Sequence, residues 1–261
     1  MPNQVPGPKS QWTKYQRNGL VYYGLKAGAG IEPAFFTRAG GVSKPPCDSL
    51  NLSPDIGDDP DAVARNRTLV MQTIGVTNLA TVRQVHSSEV VYADETTQPD
   101  ALQADALFTD HTGLALGIKV ADCLPVYIFG RGAIGLAHAG WRGTRDRIAV
   151  RLVQAITQRL GLEPQALSYA FGPCIGSDCY EVGPEVAHEF ASFPNPSEFL
   201  LGSGSARLDL RAANRQLLLP LGLTECAGLN ECPHCNPETF FSARRDRVTG
   251  RNLALILRRP S

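Results

Sequence analysis

The sequence predicts a single domain of interspersed strands and helices, and three observations carry that prediction. Apolar runs of strand length, such as Leu114–Val120, Ala133–Ala137 and Leu253–Leu257, alternate along the chain with segments of helical period. Glycine-rich turns separate them. No repeat, low-complexity stretch or clean linker divides the 261 residues, a length that one large α/β-type domain accommodates.

Residues 1–18 are polar and contain proline, and are expected to be a loosely ordered lead-in to a single catalytic domain over 19–261. Leu20–Leu25 and Ile31–Phe36 are short strands about a glycine turn at Gly28 and Gly30. The stretch TRAGGVSKPPCDSLNLS, 37–53, is a long loop of the kind that often carries function. Asp58-Asp59-Pro60 opens a helix whose apolar stripe is Val63, Leu69, Val70 and Ile74 and whose stop is Gly75. Leu79–Val85 is a strand that leaves His86 at or just past its edge, and a polar loop over 94–104 precedes ADALFTD. Ile148, Leu152, Val153, Ile156 and Leu160 give Asp146–Leu160 helical spacing, closed by Gly161. Ser168–Phe171 is a strand entering a glycine-rich loop, 172–183. Val186 and Phe190 mark a helix, Asp209 caps another to about Leu219, and a loop over 231–251 enters the last strand.

Composition removes several function classes. The 43% hydrophobic and 19% charged residues are those of an ordinary globular protein. Twenty-five basic residues cancel twenty-five acidic ones, so no global field favours nucleic acid or an anionic membrane. The N-terminus lacks an apolar signal region, and no run reaches the roughly 18 apolar residues of a spanning helix. Seven cysteines without a short disulfide framework suit a reducing, cytoplasmic setting.

The chemistry concentrates in residues 114–144. One apolar run there ends at Asp122 and Cys123, the other at His138. With His86 these form a set of two imidazoles and a thiol in which every member sits at a predicted strand end. Zinc prefers such ligands, and three of them leave a position open for water or substrate; a buried Cys and two packing His residues is the other reading. Asp122 is a candidate to orient a ligand or move a proton, or simply to cap the turn. HAGWRGTRD leads into a helix, so its unpaired N–H groups and Arg142 suggest an anion site, with Trp141 placed to stack on a base or to pack. Arg38 beside Gly40 and Gly41, and Arg244-Arg245 behind Phe240-Phe241, are further candidates, with a surface role the alternative. Cys232-Pro-His-Cys235 is a single close pair with no second pair at suitable spacing, and a packing role is expected. Five histidines are too few for a multinuclear copper centre beside other needs.

QVHS at 84–87, ADCLPV at 121–126, HAGWRGT at 138–144, GPCIG at 172–176 and FFSARRDRVTGR at 240–251, with TRAGGVS and NLS upstream, resemble the laccase-domain or polyphenol-oxidase family, also called peptidoglycan editing factors. The resemblance runs from about Ala34 onward. It implies an α+β fold of mixed sheets sandwiched by helices, αββα-like and similar to the catalytic domain of the cytotoxic necrotising factors. It implies Zn2+ on His86, Cys123 and His138. It also implies purine nucleosides and phosphate as substrates: phosphorolysis of adenosine, inosine and methylthioadenosine, and deamination of adenosine. Catalytic roles then fall to Cys123, Asp122 and His138, and substrate contacts to Arg38, Trp141, Arg142 and Arg245. Ala243 departs from the family pattern, which expects an aromatic residue there, and this weakens the transfer onto Arg244 and Arg245. An open metal beside a carboxylate points by itself to hydrolysis; phosphorolysis further needs a group to stabilise the departing base, which the sequence does not assign. A Cys-His amidase acting on peptidoglycan precursors, with Cys123 as nucleophile and His138 as base, and a non-catalytic partner of another enzyme are the alternative classes. A monomer is the default expectation.

Overall fold

Residues 11–202 and 205–260 are described by a computed structural model. Strands β1 (Thr13–Arg17), β2 (Leu20–Gly24) and β3 (Ile31–Phe36) lead to helix α1 (Pro60–Ile74). Six strands follow: β4 (Asn78–Thr81), β5 (Val90–Tyr92), β6 (Ala106–Thr109), β7 (Leu114–Val120), β8 (Leu124–Gly130) and β9 (Ala133–Ala139). Helices α2 (Trp141–Arg145) and α3 (Ile148–Leu160) come next, then β10 (Ser168–Phe171), β11 (Glu181–Val182) and α4 (Pro184–Glu189). The chain closes with β12 (Leu200–Leu201), β13 (Ala206–Leu208), α5 (Leu210–Leu218), β14 (Thr224–Gly228), α6 (Ala243–Asp246) and β15 (Asn252–Arg258).

Two six-stranded mixed sheets lie face to face, in the orders β1-β2-β3-β15-β7-β4 and β14-β10-β8-β9-β6-β5. Strand alternation assigns each residue a layer. On β9, Ile134 and Leu136 join Leu116, Ile118, Phe35 and Tyr127 in the core between the sheets. Their neighbours Ala133, Ala137 and Ala139 face outward into a second core with Leu152, Val153 and Ile156 of α3. Small residues are needed there: a Cβ on Gly135 would stand 3.0 Å from Ile156 Cδ1. Helix α1 covers the outer face of the first sheet through Val70 and Ile74. The layers are therefore helix, sheet, sheet, helix, as an α+β sandwich requires. Each fully buried Leu or Ile in them contributes about 1.5–3 kcal/mol.

Local signals behave largely as read. The Asp59 side chain caps α1 by accepting from Asp61 N, and Gly75 ends it in the left-handed conformation; Asp209 caps α5 by accepting from Ala212 N. Several readings need correction. Residues 13–17, assigned to the loose lead-in, form β1, paired antiparallel with β2; residues 1–10 lie outside the described residues. The strand expected over 79–85 stops at Thr81. Beyond it the Gln84 side chain replaces the backbone ladder, its amide donating to Lys119 O (2.8 Å) and accepting from Lys119 N (2.7 Å). The backbone meanwhile turns toward Gln103 and Leu102. The HAGWRGT turn is already helical from Trp141, and Arg147 in the left-handed region separates α2 from α3. Among the described residues no helix is long and apolar enough to cross a membrane.

Candidate metal centre

The site forms where the chain crosses from one sheet to the other. Residues 121–123 carry it from the end of β7 to the start of β8, in the opposite sheet. Asp122 takes a φ of 88°, a region short polar residues tolerate best, and Ile175 N donates to its carbonyl at 2.9 Å. Residues 82–89 make the parallel crossing from β4 to β5, with His86 at a φ of 58°. His138, on β9 and paired with Pro125 of β8, completes the group.

His86, Cys123 and His138 each present a ligand atom, all within 4.8 Å of one another. The imidazoles meet edge to face, centroids 5.0 Å apart. A Cβ on Gly140, at the start of α2, would stand 2.8 Å from the Cys123 sulfur and 3.7 Å from His86 Cδ2, so glycine is what leaves the sulfur uncovered. Burial pushes the Cys123 thiol up, but the two imidazoles beside it more than offset this and bring it down to about 6. Burial favours neutral His138, yet Cys123 and Asp105 hold its pKa up at about 9. A thiolate and two imidazoles, converging from separate elements with one side open, fit a metal ion of borderline softness.

Asp105, which sequence reasoning missed, organises this cluster. It is fully buried just before β6. Its Oδ1 accepts from His138 Nδ1 at 2.8 Å and from His86 N at 3.1 Å. Its Oδ2 accepts from Val85 N, Ser87 N and Ser87 Oγ. Burial raises the Asp105 carboxyl, and the His138 and Ser87 bonds overcome that to leave it at about 2. One carboxylate thus shapes the His86 turn and fixes the orientation of the His138 ring, with Nδ1 held by Asp105. Asp105→Asn should cost about 10–100-fold in metal affinity, read by competition with a chromophoric chelator; unchanged affinity would remove this role. The available signal was a lone acidic residue entering an apolar strand.

The cluster opens into a cavity of about 510 Å³ lined by Asp122, Trp141, Arg142, Tyr180, Arg244 and Arg251 among others. Asp122 Oδ2 accepts from Arg244 N at 2.7 Å, while its buried Oδ1 has no partner among the described residues. Burial raises the Asp122 carboxyl above its ordinary value. Arg142 lies over the Trp141 ring at 4.3 Å. Arg251 spends Nη1 on the carbonyls of Thr249 and Gly250, and neither arginine has an ion-pair partner among the described residues. Lys119 and Gln84 also line the cavity.

Two predicted substrate contacts are elsewhere. Arg38 donates to the carbonyls of Asp48 and Pro237 and lies over the Phe241 ring. Arg245 donates to the carbonyls of Pro233, His234 and Phe240 and pairs with Asp246. Neither lines the cavity. Both guanidinium groups tie loops together. Ala243, the departure from the family pattern, does line it.

A family model described as multi-copper polyphenol oxidoreductase laccase matches residues 32–259. The chain belongs to this family. A purine nucleoside phosphorylase from Deinococcus radiodurans is 41% identical over 232 residues, covering 87% of this chain and 88% of that protein. Adenosine deaminase RL5, from an unknown prokaryotic organism, is 36% identical over 255 residues, covering 90% and 96%. The crystal structure of YlmD from Geobacillus stearothermophilus matches with a TM-score of 0.87 at 33% identity, over 95% of this chain and 99% of that one. The laccase-family name invokes several coppers. In this member the cavity gathers two imidazoles and one thiolate, a ligand set for a single ion.

Proposed function

We propose that this protein is a cytoplasmic, zinc-dependent purine nucleoside phosphorylase for adenosine, inosine and methylthioadenosine that also deaminates adenosine in the same cavity. The observation that carries the reading is the His86–Cys123–His138 cluster in the wall of a cavity of about 510 Å³, a volume within the ordinary range for a small-molecule site. Relatives named for each of the two reactions support it. Zinc held by these three residues would supply Lewis acidity, polarising oxygen and making water acidic near neutral pH.

The remaining roles fall to the chain's own groups. Trp141 offers a ring face for the base. Arg142 and Arg251, cations without carboxylate partners, attract phosphate. In phosphorolysis a phosphate oxygen bonds to the anomeric carbon as the bond to purine N9 breaks, and the departing base needs a proton. Asp122, raised by burial and with Oδ1 free, is placed to hold and deliver it. In deamination water adds at C6 of adenine and ammonia leaves; the same carboxyl moves the proton between them.

Arg142→Ala and Arg251→Ala should each raise the phosphate requirement about tenfold or more, on a lost charge-assisted hydrogen bond of about 1.5–3 kcal/mol, and leave deamination near wild type. Unchanged phosphate dependence in both would place the anion elsewhere. The reaction assignment itself is tested by mass spectrometry of adenosine incubations. Adenine and ribose 1-phosphate are expected with phosphate, and slow inosine formation without it. Intact adenosine under both conditions overturns the reading. The Cys123 thiolate beside His138 favours one second reading, the Cys-His amidase; it requires metal-free protein to release an amino acid from a muramyl precursor.

A further inference from the structure

Next in the chain to Tyr180, which lines the cavity, begins a second group of soft ligands that the proposed reaction does not use. Cys179, His234 and Cys235 present ligand atoms all within 4.8 Å of one another. The Cys179 and Cys235 sulfurs are 3.2 Å apart. Cys232 and Cys235 belong to a tight turn, Cys232-Pro233-His234-Cys235, in which Cys235 N donates to Cys232 O at 3.1 Å. Gly176 N, from the loop that carries Cys179, donates to the Cys232 sulfur at 3.2 Å. A backbone donor aimed at a sulfur favours the thiolate, the form in which cysteine binds metal.

We propose that Cys179, Cys232, His234 and Cys235 form a second zinc site, closed and structural, separate from the centre in the cavity. Four protein ligands complete a tetrahedral shell, and a pair spaced C-x2-C with partners brought in by the fold is a structural pattern. Zinc–sulfur bonds of about 2.3 Å set tetrahedral thiolates roughly 3.8 Å apart, and the Cys179 and Cys235 sulfurs at 3.2 Å stand near that spacing. A disulfide would instead need sulfurs at about 2.05 Å and would leave the third thiol and the histidine without a task. Cys174, buried and pushed up to about 12 by that burial, stays a thiol outside the set.

The site would join the loop after β10 to the loop before α6, and these loops build one wall of the cavity. Tyr180 follows Cys179 directly, and its ring carries the Arg244 guanidinium at 5.0 Å. Arg245 adds a clamp from the other side by donating to the carbonyls of Pro233 and His234. Metal here would hold the wall without touching substrate.

Native mass spectrometry of reduced protein loaded with zinc alone tests this independently of the proposed reaction. Two zinc ions per chain are expected. Cys235→Ser, at an exposed position, should lose one and keep the other; His86→Ala with Cys123→Ala should lose only the cavity ion. Cobalt(II) titration of that double variant provides a check that leaves Cys179, Cys232, His234 and Cys235 intact: it should bind one equivalent with a strong thiolate charge-transfer band. No cobalt bound by the double variant, or a zinc count unaltered by Cys235→Ser, would overturn the second site. So would a Cys179–Cys235 disulfide in protein that takes up zinc only at the cavity. If the cavity reading alone is wrong, a single zinc sensitive to Cys235→Ser and not to Cys123→Ala remains.

Discussion

Cys123→Ala should bring phosphorolysis and deamination to background together and remove zinc from the cavity. The thiolate is the one anionic ligand of the group, and without it two imidazoles are left, one held by Asp105 and one on an exposed turn. Neither can be expected to retain an ion against solvent and buffer. The substitution deletes one small half-buried side chain at a turn, so the fold should persist. Far-ultraviolet circular dichroism and elemental analysis on the same sample separate the two effects. Wild-type activity in a zinc-free variant would sink the metal role of Cys123.

The largest stability effect is expected at Asp100. This carboxylate pairs with Lys119 and with Arg67 and accepts from Thr81 Oγ1 at 2.8 Å. Lys119 is 4% exposed, and burial holds its ammonium below its ordinary value even with Asp100 attached. Burial would raise Asp100, but its two cations keep it below the ordinary Asp value. Asp100→Asn therefore leaves the buried Lys119 ammonium with the Val82 carbonyl but without its counter-charge, and removing one partner of such a pair costs about 3–5 kcal/mol. The lower end is appropriate here, because Asp100 keeps 14% exposure to water. Urea denaturation would measure it. A loss under about 1 kcal/mol would show that the pair behaves like a surface one. The sign with pH follows from the depressed carboxyl: its stabilisation is present above the ordinary Asp value, about 3.9, and is lost as pH falls through the lower folded value.

Much of the candidate site was legible because its residues sit on or just past strand-like runs. Cys123 and His138 follow closely on apolar runs, His86 stands in the crossing after β4, and the structure brings the three together. Asp122, Trp141 and Arg142 line the same cavity. What stayed hidden depends on contacts between distant segments. Asp105 matters through His138 and the 85–87 backbone, pairings that no local pattern announces. The strand after Leu79 ends early because a glutamine side chain, not the backbone, continues the pairing with Lys119. Arg38 and Arg245 looked available because an arginine's destination is set by carbonyls elsewhere, and for Arg38 one of these is Pro237, 199 residues away. Cys232 and Cys235 looked unaccompanied for the same reason: Cys179 lies 56 residues before Cys235. The layered fold itself was only partly readable. β8, fully apolar over most of its length, was not marked as a strand, and the short β5, β11, β12 and β13 carry too few residues to show a period.

One shared metal serving both reactions is the central claim, and zinc reconstitution tests it most directly. Chelator-treated protein, returned to adenosine with and without phosphate, is titrated with zinc while adenine and inosine are quantified in parallel. Cys235→Ser protein serves as the sample, so that only the cavity ion is counted. Both products are expected to be absent without zinc and to recover together, saturating at one equivalent per chain. Phosphorolysis that persists in zinc-free protein, or two products that recover at different stoichiometries, would contradict a shared centre at His86, Cys123 and His138.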